Sequence, residues 1–334
     1  MPDRRTASSR GTGSGRRAAT AGATTPSTEE TGRILAAARR YYFDDASKVQ
    51  IAQELGISRF QVARLLQEAR RTGLVRIEIG SPGHVDDDLS RRVADRLDID
   101  RAIVIEAHPN SPQATFDLVG AALAAELERV VSDGDTIGLA WSRAAPAMAR
   151  SLRSLEQCTV VQLSGAIYPP AGLPGSVEVT RDVAAAAGGD AYILYAPLVV
   201  PDVETAAGLR RQPEIAATLA KADDLDVAVL SVGAWTSGGS AVYGLLDDAE
   251  LETFEALGVE GEVTGRLFDR DGVPIPNPLD DRVVGATIEQ LRDARTLITS
   301  GSGVLRRDAT LSIARAGLIH TLIIDDALAR ALLS

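Results

Sequence analysis

Basic and amide side chains recur at helical spacing between Lys48 and Arg71. Arg and Gln side chains can make bidentate bonds to guanine and adenine edges in the major groove of duplex DNA, and further Arg residues can hold phosphates. We therefore expect double-stranded DNA to contact this segment. The residues expected to make the contacts are Lys48, Ser58, Arg59, Gln61, Arg64, Arg70 and Arg71. A plain helical hairpin with a solvated basic face is the alternative interpretation of the same spacing.

Two helices joined by a tight turn are needed to position these side chains. Apolar residues four apart predict a first helix over residues 48–55, and Gly56 follows where a helix ends in a left-handed residue. Ser58 is suited to cap a second helix, because its hydroxyl can accept a hydrogen bond from a free N–H group. That helix would bury Val62, Leu65, Leu66 and Ala69. Alternating residues over 75–79 then predict a short strand, which completes the outline of a winged helix-turn-helix unit.

The charge of the chain is divided unevenly between its two parts. The net charge of the whole chain is −11, which alone would argue against DNA. Residues 1–80 carry 14 Lys and Arg against 8 Asp and Glu, a net charge of +6, whereas residues 81–334 carry 21 against 38, a net charge of −17. The positive charge thus lies where DNA is expected, and the acidic remainder would keep the rest of the chain off the duplex.

Length and composition predict two domains. Residues 1–28 contain mostly Ser, Thr, Gly, Ala and Arg and are expected to be a disordered tail, whose five Arg residues either add weak phosphate contacts or have no role. Residues 29–80 would form the DNA-binding domain, beginning with a helix that ends at residues 43–45. Residues 81–86 would form a linker and residues 87–334 a second domain.

Several classes of protein are excluded by what the sequence lacks. No apolar run approaches the roughly 18 residues that a membrane helix needs, so no membrane partner is expected. Cys158 is the sole cysteine, and His84, His108 and His320 are isolated from one another, so neither a disulfide framework nor a metal site is predicted. No cofactor is implied either. The expected location is the cytoplasm.

From residue 86 onward, strand-like runs alternate with helical ones. The strands are expected at 102–105, 136–140, 158–163, 191–195, 227–232, 296–299 and 321–324, and the helices at 86–97, 112–131, 145–155 and 177–187. Strands separated by helices imply right-handed crossovers. The predicted fold is therefore α/β, with a Rossmann-like, mostly parallel sheet that is covered by helices on both faces.

Small and polar residues follow four of these predicted strands. Ligands bind at the carboxyl ends of parallel strands, and Gly and Ser let backbone N–H groups approach an anion. Each loop alone would more simply be a turn, but together they suggest a small polar ligand that carries a phosphate. The loop residues expected to bind it are Trp141, Ser142, Arg143, Ser164, Gly165, Gly233, Ser300, Gly301, Gly303 and Arg306.

Residues 38–79 closely resemble the N-terminal domain of SorC-type sugar-responsive transcriptional regulators. The resemblance rests on the pair Tyr41 and Tyr42, on the run Leu-Gly-Ile-Ser-Arg at 55–59, and on Val-x-Arg-Leu-Leu at 62–66. Gln61 and Ala63 stand where Thr and Ser are common in that family. Both lie on or near the expected DNA-facing surface, so they bear on the operator sequence that would be bound.

The resemblance extends over most of residues 85–334, through the runs GLAWSRA at 138–144, VVQLSGAI at 160–167 and the C-terminal segment from Ser300. It implies a domain related to sugar-phosphate isomerases and deaminases that binds a sugar or sugar phosphate, and an assembly of dimers of dimers. It adds four expected effector-binding residues, Gly138, Gln162, Glu262 and Asp269, although a solvated hairpin would explain the last two equally well. Where the family has Gly, Thr and Lys, this chain has Ser142, Ala144 and Arg306. Arg can hold a phosphate but cannot form a Schiff base, so effector binding is expected to be non-covalent.

The leading hypothesis is a regulator of carbohydrate metabolism, not an enzyme, whose affinity for operator DNA is controlled by a sugar, sugar-phosphate or polyol effector. A homodimer or homotetramer is implied by the resemblance. The first alternative is an enzyme of the isomerase or deaminase type with a DNA-binding appendage. It would need a general base, for which Glu262, Asp269 and Asp325 are the candidates, without support from a His or Lys. The second alternative is a non-specific nucleoid protein, against which the acidic bulk of the chain argues.

Overall fold

The computed structural model describes residues 28–44, 46–75, 84–108 and 110–334. The chain divides into two compact units at Gly80 and Ser81. The expected tail before residue 28, the wing strand beyond residue 75 and most of the expected linker lie outside the described residues. Within the described ranges, no helix combines the length and the apolar composition that crossing a membrane requires.

The first unit consists of three helices: α1 (Thr28–Tyr42), α2 (Lys48–Leu55) and α3 (Arg59–Arg71). Helix α2 ends at Gly56, whose φ of 64° is left-handed and whose N–H group donates to the carbonyls of Ala52 and Gln53. Ser58 then caps α3. The first helix of the helix-turn-helix therefore has its predicted bounds. Gly56 ends it and Ser58 begins the second helix, as predicted.

Apolar residues from all three helices form the core of this unit. Ile34 and Ala37 of α1 pack with Ile51 of α2 and with Val62 and Leu66 of α3. On the surface of this unit, an ion pair joins α1 to α2, with Arg40 Nη2 2.6 Å from Glu54 Oε1. Leu65, which was expected to be buried, is only partly so.

A seven-stranded parallel sheet forms the centre of the second unit. Its strands lie in the order β1-β10-β9-β5-β2-β3-β4, and a separate antiparallel sheet has the order β6-β7-β8. The large sheet contains β1 (Arg101–Ile105), β2 (Thr136–Leu139), β3 (Thr159–Gln162), β4 (Ala191–Tyr192), β5 (Val227–Ser231), β9 (Thr296–Gly301) and β10 (Thr321–Asp325). The small sheet contains β6 (Gly233–Ala234), β7 (Val259–Val263) and β8 (Arg266–Asp269).

Helices cover both faces of the large sheet. One face packs against α4 (Asp87–Leu97), α11 (Ile288–Asp293), α12 (Arg307–Arg315) and α13 (Asp326–Leu333). The other packs against α5 (Pro112–Val130), α6 (Ala145–Ser151) and α7 (Ser176–Ala187). Strand residues alternate between the two cores, since Leu322 and Ile324 lie in the first and Ile323 in the second. The predicted α/β architecture is confirmed.

Three further helices lie outside these layers: α8 (Val203–Arg210), α9 (Pro213–Lys221) and α10 (Asp248–Ala256). Of these elements, α8, α10 and the small sheet were not predicted. The predicted helix at 145–155 is shorter than expected, because the Glu128 carboxylate accepts hydrogen bonds from the N–H groups of Arg153 and Ser154 beyond its end. Strand β4 stops at Tyr192, where it pairs with β3 alone at the edge of the sheet.

The order of the strands reverses direction between β2 and β5. From β2 the chain adds β3 and β4 on one side, and it then returns to add β5, β9 and β10 on the other. The segments that leave the carboxyl ends of β2 and β5 therefore diverge and leave a crevice between them, which is where open α/β sheets bind ligands.

Candidate functional site

Helix α3 begins with a reciprocal capping box. The Ser58 hydroxyl accepts a hydrogen bond from the Gln61 N–H at 3.2 Å, and Gln61 Oε1 accepts one from the Ser58 N–H at 2.8 Å. The capping box engages Gln61 Oε1, which is the oxygen that a bidentate contact with adenine would need. In the structure, Ser58 and Gln61 thus hold the helix end, and only the amide nitrogen of Gln61 is left to face outward.

Three arginines of α3 carry charges that are not neutralised by a neighbour. Within residues 28–44 and 46–75, Arg59, Arg64 and Arg70 are exposed and form no ion pair with another described residue. Arg71, by contrast, is paired with Glu68, its Nε lying 2.9 Å from Glu68 Oε2. Lys48 lies 5.6 Å from the centroid of the Tyr41 ring. The exposed face of α3 is therefore rich in cations that an anionic polymer can contact.

A cleft of about 240 Å³ opens at the reversal point of the large sheet. Its walls come from the segments after β2, β3 and β5 and from the small sheet, with Arg306 reaching in from the segment after β9. The predicted effector residues that line it are Trp141, Ser142, Arg143, Ser164, Gly165, Gly233, Glu262 and Arg306. A recess of about 30 Å³ shares Ser142, Arg143 and Arg306 with the cleft and adds Ser300 and Gly301.

Arg306 ties together three segments around the cleft. Its Nε donates to the Val232 carbonyl at 3.1 Å, Nη1 to the Ser302 carbonyl at 2.8 Å and Nη2 to the Gly239 carbonyl at 3.0 Å. Burial lowers the pKa of the guanidinium below its ordinary value, and the charge of Arg143 lowers it further. Three of its five N–H groups hold the walls, which leaves two for a ligand.

Glu262 is a buried carboxylate on the wall of the cleft. It is 7% exposed, and burial raises the pKa of its carboxyl group. Its Oε1 accepts a hydrogen bond from the Ser240 hydroxyl at 2.9 Å, and its Oε2 accepts one from the Gly265 N–H at 3.0 Å. The side chain is thus fixed in place, and its remaining lone pairs can accept hydrogen bonds from ligand hydroxyls.

The turn that follows Glu262 is strained at Thr264. Thr264 and Gly265 form the two-residue turn between β7 and β8, with φ values of 53° and 83°. Such turns favour Asn-Gly, and a β-branched residue at positive φ is an outlier that costs about 1–3 kcal/mol. Thr264 lines the cleft, and its hydroxyl is buried without a hydrogen-bond partner among the described residues. Backbone strain and unpaired buried polar groups are both found more often at functional sites than elsewhere, which makes Thr264 a candidate binding residue.

Four expected effector residues lie elsewhere. Gly138 packs against Leu163 within the sheet, and the Gln162 amide donates to the Ser164 carbonyl and the Ser176 hydroxyl, so both support the wall from behind. The Asp269 carboxylate closes its own turn by accepting from the N–H groups of Asp271 and Val273. The Gly303 N–H donates to Asp325 Oδ2 at 2.7 Å, which points it away from an anion.

Other residues of the cleft wall were not expected from the sequence. They are Ile167, Tyr168, Pro170, Leu198, Ser231, Ser240, Ala241, Val242 and Thr264, together with Ala140 and Val232. The wall also contains Gly238 and Gly239, from the glycine-rich loop after the strand at 227–232. The Thr-Gly pair at 264–265, between two strand-like runs, was a detectable signal for a tight hairpin. No feature of the sequence predicted that Tyr168 lines the cleft, because a residue followed by Pro169 and Pro170 is expected in an ordinary surface turn.

The general bases that an enzyme would need are not assembled. Of the three acidic candidates, only Glu262 lines the cleft, since Asp325 caps α13 by accepting from the Leu328 N–H at 2.8 Å. The chain has two lysines, Lys48 in the first unit and Lys221, which lies over the Tyr192 ring. Neither lines the cleft. Among the described residues, no cluster of His, Cys, Asp or Glu is arranged to hold a metal.

Replacing Gly233 by alanine is expected to lower the free energy of unfolding by about 1–3 kcal/mol, because the new methyl group would overpack the site. An ideal Cβ at Gly233 would lie 2.1 Å from Glu262 Oε1, so the fixed carboxylate would have to move. The matched control is Gly208→Ala in α8, where the nearest atom would be 4.0 Å away and no loss is expected. Urea unfolding measures both, and equal stability of the two variants would contradict this packing.

The comparison with known proteins agrees with this division of the chain. Residues 83–334 match the model of the Sugar-bind family, described as a "Putative sugar-binding domain". The transcriptional regulator YjhU of Escherichia coli (strain K12), itself termed uncharacterized, is 28% identical over 315 residues, which cover 90% of this chain and 94% of the relative. The deoxyribonucleoside regulator of Bacillus subtilis (strain 168) is 28% identical over 309 residues, which cover 90% and 96%.

A solved structure extends the likeness to nearly the whole fold. The crystal structure of the full-length sorbitol operon regulator SorC from Klebsiella pneumoniae matches with a TM-score of 0.67 at 23% identity, and the match covers 92% of this chain and 100% of that chain. The relatives are named as regulators and not as enzymes. The chain therefore belongs to the SorC-type family of sugar-binding transcriptional regulators.

Proposed function

We propose that this regulator binds double-stranded operator DNA through helix α3 and that a phosphorylated sugar or polyol, bound in the cleft between β2 and β5, controls its DNA affinity. The observation that carries the effector half is that Thr264, whose hydroxyl is buried without a partner among the described residues, lines the same cleft as the fixed carboxylate of Glu262. A ligand with several hydroxyl groups can pair with both. Because the relatives are bacterial regulators, the proposed place of action is the cytoplasm, where the chromosome lies.

The DNA-binding half is supported by the charges on α3. Arg59 and Arg64 lie in the N-terminal half of the second helix of a helix-turn-helix, where side chains reach base edges. Arg70 lies further along the helix, where a cation can hold the backbone. We further propose that chains pair as a homodimer or homotetramer, so that the operator is palindromic.

A phosphate on the effector is supported by the two guanidinium groups at the recess. Arg143 and Arg306 both line it, and the charge of Arg143 lowers the pKa of Arg306, which means that the two cations repel each other. An anionic group between them would relieve this repulsion. The recess also presents Ser142, Ser300 and Ser302, whose hydroxyl and backbone groups can contact a phosphate.

The effector is identified by a thermal-shift screen of the full-length protein against sugars, polyols and their phosphates. A ligand at about a hundred times its dissociation constant should add about 2.7 kcal/mol of stability. A sugar phosphate or polyol phosphate is expected to shift the transition, whereas the unphosphorylated parent compound shifts it less. A shift with free sugars or polyols alone would overturn the phosphate assignment, and no shift with any of them would overturn the effector half of the proposal.

Two substitutions of Thr264 separate strain from binding. Thr264→Gly removes the side chain that disfavours positive φ and is expected to raise stability by about 1 kcal/mol while weakening effector binding. Thr264→Val keeps the branched shape and the strain but removes the hydroxyl, so it should weaken effector binding, and any change in its stability reports the cost of the buried, unpaired hydroxyl rather than the strain. Urea unfolding and titration with the effector from the screen measure the two effects. Unchanged effector affinity in both variants would exclude a contact with Thr264.

A further inference from the structure

The first turn of α3 exposes an aromatic side chain that the arginine contacts do not explain. Phe60 is 69% exposed, although it lies between Arg59 and Gln61 on the helix that is expected to enter DNA. The core side of this helix is occupied by Val62, Leu66 and Ala69, so Phe60 lies outside the hydrophobic core of the unit.

Phe60 shares its side of the helix with the polar and basic residues. Positions 60, 64, 67 and 71 recur at intervals of three to four, so Phe60 and Arg64 lie on one stripe. The Arg59 guanidinium lies over the Phe60 ring, 4.9 Å from its centroid. An apolar ring flanked by unpaired cations complements a surface that combines negative charge with apolar groups.

The major groove of DNA is such a surface. Phosphates line its edges, and each thymine presents a C5-methyl group, which is the apolar contact available on a base edge there. Because the capping box engages the Gln61 oxygen, Arg59 and Phe60 are the exposed side chains of the first turn that take no part in capping the helix. A protein surface is the competing occupant, and it would have to be acidic to pair with Arg59 and Arg64, whereas every DNA duplex supplies phosphates at this spacing from the base edges.

We infer that Phe60 reads a thymine methyl group in the operator, next to the base that Arg59 contacts. This inference rests on the proposed DNA-binding function and adds the base class that the helix recognises. It predicts that specificity at one position of each half-site depends on the methyl group rather than on a hydrogen bond.

Uracil substitution tests the inference, because uracil differs from thymine only by lacking the C5-methyl group. Duplexes are first selected from a random library with the full-length wild-type protein. Each thymine of the selected site is then replaced singly by uracil, and affinities are measured for the wild type, Phe60→Ala and Phe43→Ala. Phe43 is 83% exposed in the same unit but lies outside α3, so it is the matched control.

For the wild type, one uracil position per half-site should weaken binding about fourfold, the factor that corresponds to burying one methyl-sized group. Phe60→Ala should bind the thymine duplex more weakly and lose no further affinity at that position, since the two changes remove the same contact. Phe43→Ala should behave as the wild type.

Three results would overturn the inference. The uracil and Phe60→Ala effects could be additive, Phe60→Ala could weaken selected and random duplexes equally, or it could leave DNA binding intact while changing the oligomeric state. Selection of no duplex by the wild type is a distinct outcome that would overturn the proposed DNA binding itself, and with it this inference.

Discussion

Replacing Arg306 by alanine is expected to lower the free energy of unfolding of the effector unit by about 1–3 kcal/mol and to abolish effector binding. The substitution leaves the carbonyl groups of Val232, Gly239 and Ser302 without their donor. It also removes the positive charge that faces the buried Glu262 carboxylate. Both losses occur in the same cleft, so binding and stability should fall together.

Tryptophan fluorescence makes this measurement specific to one unit, because both tryptophans, Trp141 and Trp235, lie in the second unit. Urea unfolding followed at the tryptophans therefore reports on the unit that contains Arg306. The matched control is Arg330→Ala, whose side chain is 64% exposed and whose partner atom in Asp326 is 3.6 Å away, so its effect should stay below about 0.5 kcal/mol. Equal losses in the two variants would mean that Arg306 does not organise the cleft.

Replacing Arg59 and Arg64 by alanine is expected to weaken specific DNA binding by about 1–3 kcal/mol each if they read bases. Both are exposed, form no ion pair among the described residues and lie where a recognition helix meets base edges. Non-specific binding should fall much less, because the loss of one cation among several affects phosphate contacts only modestly. The ratio of affinities for selected and random duplexes is therefore the informative quantity.

Arg39→Ala is the matched control, since it removes the same charge from an exposed position on α1. It should change both affinities slightly and leave their ratio unchanged. If Arg59→Ala and Arg64→Ala also leave the ratio unchanged while weakening both affinities, these two residues are phosphate contacts and specificity comes from elsewhere on the helix.

The local signals in the sequence predicted the helix-turn-helix well. Gly56 and Ser58 determine where α2 ends and α3 begins, and these effects act within four residues along the chain. Gln61 shows the limit of such reasoning. Its residue type suits a base contact, but its position three residues after Ser58 also suits a capping box. The structure contains the capping box.

The large sheet was predictable because buried parallel strands form continuous apolar runs, such as residues 227–231. The small sheet was not predicted, because β6 has two residues and β7 contains Gly261 and two glutamates. From the sequence alone, Glu262 could equally be an exposed charge on a hairpin. Its burial results from tertiary packing, which a local pattern does not reveal.

The role of Arg306 lies beyond pattern reasoning for a similar reason. Two of its hydrogen bonds join it to residues 67 and 74 positions away in the sequence. No spacing rule connects such distant positions without an alignment. The loop containing Arg306 was nonetheless expected at the site, because it follows a strand of a parallel sheet.

The most direct test of the account is the dissociation constant for the selected operator duplex, measured by fluorescence anisotropy on the full-length protein with and without the effector from the thermal-shift screen. Coupling between two sites of one protein amounts to about 1–3 kcal/mol, so the effector should change the constant by about 5–150-fold in either direction. Thr264→Val should bind the duplex like the wild type without effector and show a smaller change at the same effector concentration. An unchanged dissociation constant at saturating effector would contradict the claim that ligand binding in the cleft controls DNA affinity.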